Sequence, residues 1–280
     1  MQKVLKTISL LIFTMLFLSC DDDTAPRSPN FVIEAFITAN QTVDNIKVKG
    51  TSPIDSIKVT SEPIPNAVVT ISNDENSFPL DFNELTGKYE NRGEEIAVIS
   101  GERYQLDVAA GGREATAETT VPDFPQGLRL SDSVLIVPEL RLSLRLGDEI
   151  RDLFFNERIL LRWDSVPGQK FFVVIESRVD EIDLILPDGI PAGATELLSS
   201  FRFISEPSDT PTFPIIGVAL ETYGKHIAKV FTINQEYVDL FENLEQDSRD
   251  LNEPPSNVQN AQGIFTAFAS DSVFFEVRKR

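Results

Sequence analysis

From Asn30 onward the chain is ruled by alternation. Apolar and polar residues trade places one by one, and a period of two sends every apolar side chain to one face of an extended strand. Phe31-Val32-Ile33-Glu34-Ala35-Phe36-Ile37 is rich in the β-branched and aromatic residues that fit a pleated surface, and Ala67-Val68-Val69-Thr70-Ile71 is a second such run. Tyr104, Leu106 and Val108 alternate with Gln105 and Asp107, and Ala115, Ala117, Thr119 and Val121 keep the same rhythm. Asn-Asp, Thr-Gly and Gly-Gly breaks punctuate the runs as turns. Val121-Pro122-Asp123-Phe124-Pro125-Gln126-Gly127 then stops the pattern. Two prolines deny ladder donors to a sheet, so this stretch is read as the boundary of a first domain spanning residues 30–121.

The second half resumes the alternation with Leu140, Leu142, Leu144 and Leu146 opposite Arg141, Ser143 and Arg145. Ile159 to Trp163 is followed by the Pro167-Gly168 turn and by Phe171-Phe172-Val173-Val174-Ile175. A strand ending in Trp, a turn and an aromatic strand resemble the second and third strands of fibronectin type III domains. That resemblance makes Trp163 a core residue rather than a binding platform. Further strands are expected at 201–204, 213–220, 227–233, 264–268 and 273–277. One segment breaks the period: Tyr237, Leu240, Phe241 and Leu244 fall on one face of a helix near 235–246, with Asn234 as N-cap and Glu236 in the first turn. The expected fold is mainly β: two β-sandwich-like domains of the immunoglobulin or fibronectin type III kind, 30–121 and 127–280, the second carrying one short amphipathic helix packed across its sheet.

The N-terminus follows a different logic. Lys3 and Lys6 precede an apolar run through Leu18, which is too short for a stable span of about 20 residues but suits a signal peptide over 1–19. Ser19-Cys20 follows at once. A small residue before Cys is what a lipoprotein signal peptidase accepts, and Cys20 is the only Cys of the chain. The reading is a lipoprotein whose Cys20 carries diacylglycerol and an N-acyl chain, although Phe17 stands where Leu is commoner. Multiple acyl chains hold such a protein to a membrane, each buried CH2 contributing roughly 0.8 kcal/mol. Asp21, Asp22 and Asp23, with the Pro-containing residues up to Pro29, form a tether over 20–29.

Charge narrows the partners. The chain has 25 Lys+Arg against 44 Asp+Glu, a net charge of −19. Lys3 and Lys6 leave with the signal, so 23 basic residues face the 44 acids and the mature charge is −21. Nucleic acid is a poor partner for such a chain, which would also be repelled by anionic lipid. One Cys and one His make no zinc site and no internal disulfide. A Ser-His-Asp mechanism would have to use His226, read as a loop residue before a strand, and no Gly-x-Ser-x-Gly elbow exists. Paired carboxylates arise by chance among 44 acids, so a glycosidase-like site has no positive support. Asp180, Glu181, Asp183 and Asp188 cluster in sequence, but Pro187-Asp188-Gly189 reads first as a turn, and no EF-hand spacing is present. No catalytic residue, resident metal or dissociable cofactor is expected.

Phenylalanine is abundant, with 20 in the chain and doublets at Phe154-Phe155, Phe171-Phe172 and Phe274-Phe275. Neighbours on a strand face opposite ways, so each doublet sends one ring outward unless a second layer covers it. Outward rings are expected to pack between the domains or to offer a contact patch.

The order of features also resembles a known family. Val32-Ile33-Glu34-Ala35-Phe36 follows the lipidation site, then Pro65-Asn66-Ala67-Val68-Val69-Thr70-Ile71, Thr86-Gly87-Lys88-Tyr89, Gly101-Glu102-Arg103-Tyr104 and Thr120-Val121-Pro122. Glu236-Tyr237, Glu253-Pro254-Pro255-Ser256-Asn257-Val258 and Gly263-Ile264-Phe265 close the series. Together they resemble the domain-of-unknown-function family numbered 4249, a group of Bacteroidota lipoproteins. Asn260-Ala261-Gln262-Gly263 departs from the more Gly-rich approach of that family. The resemblance implies an outer-membrane lipoprotein whose genes often accompany TonB-dependent transporters, and it implies no activity. It favours reading Asp21, Asp22 and Asp23 as a signal for export to the cell surface, although Asp after the Cys retains lipoproteins at the inner membrane in other Gram-negative bacteria. The function expected is a non-enzymatic accessory that captures an unidentified ligand for such a transporter. The alternatives are a structural or adhesive envelope protein and, weakest, a carboxylate-dependent hydrolase.

Overall fold

Alternation in sequence becomes alternation in burial. In β1, Phe31–Thr38, the side chains of Phe31, Ile33, Ala35 and Ile37 are at most 1% exposed and those between them are half-buried. The computed structural model describes residues 31–51, 62–91, 97–137, 158–179, 183–185, 202–244 and 255–280. Cys20, Asp21, Asp22, Asp23 and the whole of 1–30 lie outside the described residues, as do Leu140 to Leu146, Phe154-Phe155, Asp180, Glu181 and Asp188.

The first half continues with β2 Ile46–Gly50, β3 Val68–Ser72, β4 Ser77–Asn83, β5 Lys88–Glu90, β6 Arg103–Ala110 and β7 Arg113–Thr120. Beyond the Pro-rich break come β8 Arg129–Leu130, β9 Val134–Val137, β10 Arg158–Arg162, β11 Lys170–Ser177, β12 Arg202–Ile204, β13 Thr212–Ile216, a 3-10 turn Gly217–Ala219 and β14 Gly224–Ile233. Helix α1, Gln235–Leu244, precedes β15 Val258–Gln259 and β16 Gln262–Lys279. The chain is mainly β with one short α-helix among the described residues.

The strands form two sandwiches that share a strand. In the first, the path runs β16-β1-β2-β5-β4-β3-β6-β7-β15, and β15 lies one short turn before β16, so the sheet curls back to where it began. In the second, β9, β16, β14, β11 and β12 form one layer, and β13, β10 and β8 form the other. The first half of β16 runs parallel to β1, pairing Val32 with Gln262 through Thr38 with Phe268. Its second half pairs antiparallel with β14, from Phe268 opposite Ile233 to Val277 opposite Gly224. The separate strands expected at 264–268 and 273–277 are therefore one strand of 18 residues. Ser270, Asp271 and Ser272, which lie between the two expected strands, pair with Phe231, Val230 and Lys229 and keep the ladder intact. The chain thus returns to the first unit with β15 and the start of β16, residues that the sequence places in the second. Val258, Phe265, Ala267 and Ala269 all pack in the first core.

Two of the sequence motifs are built for this junction. Gly263 has φ +129°, and a Cβ there would sit 1.8 Å from the Ile33 carbonyl oxygen, so only glycine lets β16 approach β1. Asn257 then treats Phe265 as a strand neighbour would: the Phe265 N–H donates to Asn257 Oδ1 at 2.9 Å, and Asn257 Nδ2 donates to the Phe265 carbonyl at 2.7 Å. The tyrosine motifs are also structural. Tyr89 and Tyr104 are fully buried. The Tyr89 hydroxyl donates to the Ile64 carbonyl and accepts from the Ala67 N–H, while the Tyr104 hydroxyl accepts from the Ile99 N–H. Burial raises the pKa of both phenols, so both act as neutral hydrogen-bonding struts.

Helix α1 covers the junction. A helix of ten residues is too short to hold itself, since isolated helices below about 12–15 residues are marginal in water. Tyr237 stacks on Phe172 at 5.5 Å and meets Phe268 edge-on at 5.2 Å, and Val238 is buried beside them. Phe36 of β1 stacks on Phe268 at 6.0 Å, which brings the first unit into the same cluster. This is the covering layer that the Phe171-Phe172 doublet calls for: Phe171 enters the second core and Phe172 the junction cluster. The buried face centres on Tyr237 and Val238, whereas Leu240 and Phe241 are half-buried. Asn234 precedes the helix as expected, and its side-chain amide reaches the first unit, donating to Thr119 Oγ1 at 3.0 Å and the Thr120 carbonyl at 2.7 Å.

Candidate functional site

Among the described residues, the second sandwich is open along one edge. β12 ends one layer and β13 the other, so the inward-facing rings of Phe203 and Phe213 meet across the gap at 5.6 Å. Beneath them lies a groove of about 530 Å³, walled by Trp163, Phe171, Val173, Phe203 and Phe213. A cleft of this size with mostly apolar walls suits a small organic molecule, such sites falling at roughly 300–1,000 Å³.

Trp163 reaches the groove because β10 ends there; its N–H donates to the Pro211 carbonyl. The ring is 4% exposed and meets Phe171 edge-on at 5.5 Å. It is a core residue, as expected, and it also walls the groove. Its indole Nε1–H has no acceptor among the described residues. An unmade buried hydrogen bond costs about 1–3 kcal/mol, so this donor is poised for an acceptor.

The connection from β12 to β13 supplies the rim: Ser205, Glu206, Ser208, Thr210 and Thr212. Most of these hydroxyls are engaged. Ser205 Oγ accepts from the Val173 N–H at 2.8 Å and donates to the Glu206 carbonyl at 3.1 Å. Ser208 Oγ accepts from the Thr210 N–H, and Thr212 Oγ1 donates to the Leu161 carbonyl. No Lys or Arg among the described residues lines the groove.

A second, smaller cavity of about 20 Å³ lies in the same sandwich, lined by Ile175, Ser177, Phe203, Ala219, Leu220, Glu221, Thr222 and His226. It is the size of one water molecule. His226, read from sequence as a loop residue, is 2% exposed inside β14 and stacks on Phe275 at 5.3 Å. The misreading came from Gly224-Lys225, which look like a turn; here Gly224 simply begins the strand with φ +96°. Nδ1 lies 3.1 Å from the Gly224 carbonyl, which can only accept, so Nδ1 carries the proton and Nε2 accepts from the Thr222 hydroxyl at 3.4 Å. Thr222 Oγ1 in turn accepts from Ser177 Oγ at 2.9 Å. Burial lowers the His226 pKa, partly offset by the Gly224 carbonyl, and keeps the ring neutral. Glu221 faces the same cavity, and its Oε2 is buried without a partner among the described residues. Burial raises its pKa.

The remaining sequence candidates are placed elsewhere. Asp183 pairs with Lys279 at 3.0 Å, and no cluster of three metal-ligating side chains occurs among the described residues. Phe274, the outward member of its doublet, is 53% exposed with the Lys225 ammonium 4.3 Å from its ring centre. No described helix is long and apolar enough to cross a membrane. The groove itself was missed by the sequence reading. Its only legible signal is that Trp163, Phe171, Phe203 and Phe213 all fall at inward positions of strands that lie at or next to a sheet edge.

The family model described as "Domain of unknown function (DUF4249)" matches residues 19–273. No curated protein matches the sequence. Among solved structures, a two-domain fibronectin type III segment of chicken tenascin is 9% identical, covering 88% of this chain and 97% of that one at a TM-score of 0.25. Chicken CNTN1 domains FN1–FN3 are likewise 9% identical, covering 90% and 69% at 0.27. Scores this low carry no argument, and the fold stands on its own strand pairing.

Proposed function

This chain belongs to the DUF4249 family, and from that premise we propose a non-enzymatic capture protein of the outer membrane. Cys20 carries the lipid, Asp21 to Asp23 direct surface display, and the groove takes a small apolar ligand for transfer to a TonB-dependent transporter. The observation that carries this reading is the aromatic groove of about 530 Å³ at the open edge of the second sandwich. Trp163 is the only Trp of the chain and lies in the groove wall, so its fluorescence reads occupancy directly. Titration with N-phenyl-1-naphthylamine, a neutral aromatic dye, should give saturable energy transfer from Trp163, weakened by Phe213→Ala. A linear, unsaturable signal in the wild-type protein would refute the groove as a binding site. Two further tests address the membrane roles. The Asp21, Asp22, Asp23 triple-Ala variant should become protected from protease on intact cells, and a pull-down from solubilised membranes should bring a near-stoichiometric transporter.

One observation favours a second reading. β16 runs through both sandwiches and the junction cluster binds them, which suits a stiff structural or adhesive spacer. That reading predicts no dye binding, no transporter in the pull-down and an attachment defect on deletion.

A further inference from the structure

The groove and the smaller cavity share a wall, because Phe203 lines both. Beyond it, the side chains that line the smaller cavity among the described residues offer acceptors almost exclusively. The His226 Nδ1–H is spent on the Gly224 carbonyl, the Thr222 hydroxyl on His226 Nε2, and the Ser177 hydroxyl on Thr222. What remains facing the space is the unpartnered Oε2 of Glu221 and the free lone pair of Ser177. An acceptor-only cavity the size of a water molecule matches a compact group that only donates, and an ammonium brings three N–H donors and no acceptor. Among the described residues, each cavity has one glutamate in its wall, Glu206 in the groove and Glu221 in the smaller cavity, and neither has a Lys or Arg. The net charge of −19 favours approach of a cation.

We propose that the groove and the smaller cavity are one site, divided by the Phe203 ring, for an apolar molecule bearing an amine. The apolar body lies against Trp163, Phe171 and Phe213, and the amine reaches across Phe203 to Glu221. The unpaired Trp163 Nε1–H serves an acceptor atom on the apolar body. This rests on the reading that the groove binds a ligand, and it adds the chemical class.

The test is calorimetric titration of the full mature chain with three probes of one shape: 1-naphthylmethylamine, 1-naphthylmethanol and 1-naphthylacetate. The amine should bind about tenfold or more tighter than the alcohol, as expected for a charge-assisted hydrogen bond, and the acetate weakest. Glu221→Gln should bring amine and alcohol within about twofold while leaving the alcohol unchanged. Phe203→Ala should speed amine association and keep the preference. A wild-type measurement guards against a variant that folds poorly. Burial raises the Glu221 pKa, so ammonium binding in acid should release protons, seen as a buffer-dependent enthalpy that the alcohol lacks. Equal binding of amine and alcohol, or a preference that survives Glu221→Gln, overturns the amine site and leaves the groove standing. Failure of all three probes to bind overturns both.

Discussion

Asn257 is the most exacting single test of how the two halves are joined. Its amide forms two hydrogen bonds with the main chain of Phe265, a residue with no exposed surface, at 2.9 and 2.7 Å. Asn257→Ala removes both partners. Two lost hydrogen bonds cost about 2 kcal/mol net, and leaving a buried N–H and C=O unpaired adds more, since each such group costs about 1–3 kcal/mol. Asn257 is itself half-buried, so water recovers part of the loss, and about 2–4 kcal/mol is expected. With a urea slope of about 3 kcal/mol/M, the unfolding midpoint should fall by about 1 M. Asn257→Asp keeps the acceptor for the Phe265 N–H but sets a carboxylate against the carbonyl, so it should lose as much at neutral pH and less in acid. Far-UV circular dichroism follows the whole sheet, while Trp163 fluorescence follows the second core. Because β16 serves both units, the two curves should shift together. A midpoint shift under about 0.2 M for Asn257→Ala, or an Asp variant as stable as wild type, would show that the amide does not bridge the strand.

Three other outcomes are expected. Gly263→Ala forces a Cβ into the Ile33 carbonyl and should prevent β1–β16 pairing, so soluble protein with wild-type circular dichroism would contradict the packing. Asn234→Ala loses its bonds to Thr119 and Thr120 and should cost about 1–2 kcal/mol, with faster hydrogen exchange in α1; unchanged exchange would mean the helix is held by its aromatic contacts alone. His226 and Glu221 should tilt stability in opposite ways. His226 has a lowered pKa in the fold, so stability is full above about pH 6.5 and falls as acid protonates the unfolded chain first. Glu221 has a raised one, so its contribution is full below the ordinary carboxylate range and is lost as pH rises through its folded value. Glu221→Gln should remove only the second slope in denaturation midpoints measured across pH, and an unchanged profile would show that Glu221 ionises freely.

Much of the fold was legible because burial and alternation coincide. β1, β6, β7 and β10 follow their apolar period, β11 is a continuous apolar run buried on both faces, and Trp163 sits in the core as its context suggests. What sequence hid has physical causes. β5 is three residues long, too short to show a period, and in β4 the alternation of Phe78, Leu80 and Phe82 is masked by Pro79, which argues against a strand. β16 was split because Ser270, Asp271 and Ser272 look like a turn, while the ladder to β14 overrides local preference. The family motifs were legible as motifs, but their meaning was not: Gly263 and Tyr89 act through partners distant in sequence, Ile33 and Ile64, and Tyr104 through the main chain of Ile99 in the preceding loop. The groove was invisible because it depends on which strands end their layers, and local pattern does not carry strand order.

The parallel pairing of β1 and β16 gives the molecule a direction of strength. A pull on Phe31 toward the N-terminus, opposed by a load held on the second sandwich, slides these strands past each other lengthwise. All seven paired positions from Val32–Gln262 to Thr38–Phe268 then carry tension simultaneously, instead of parting one after another like a zip. A load applied between the N-terminal end of β1 and the second sandwich acts along this axis. Stretched between its ends in a force-measuring trap, the chain should yield at far higher force than when the same two strands are peeled apart crosswise.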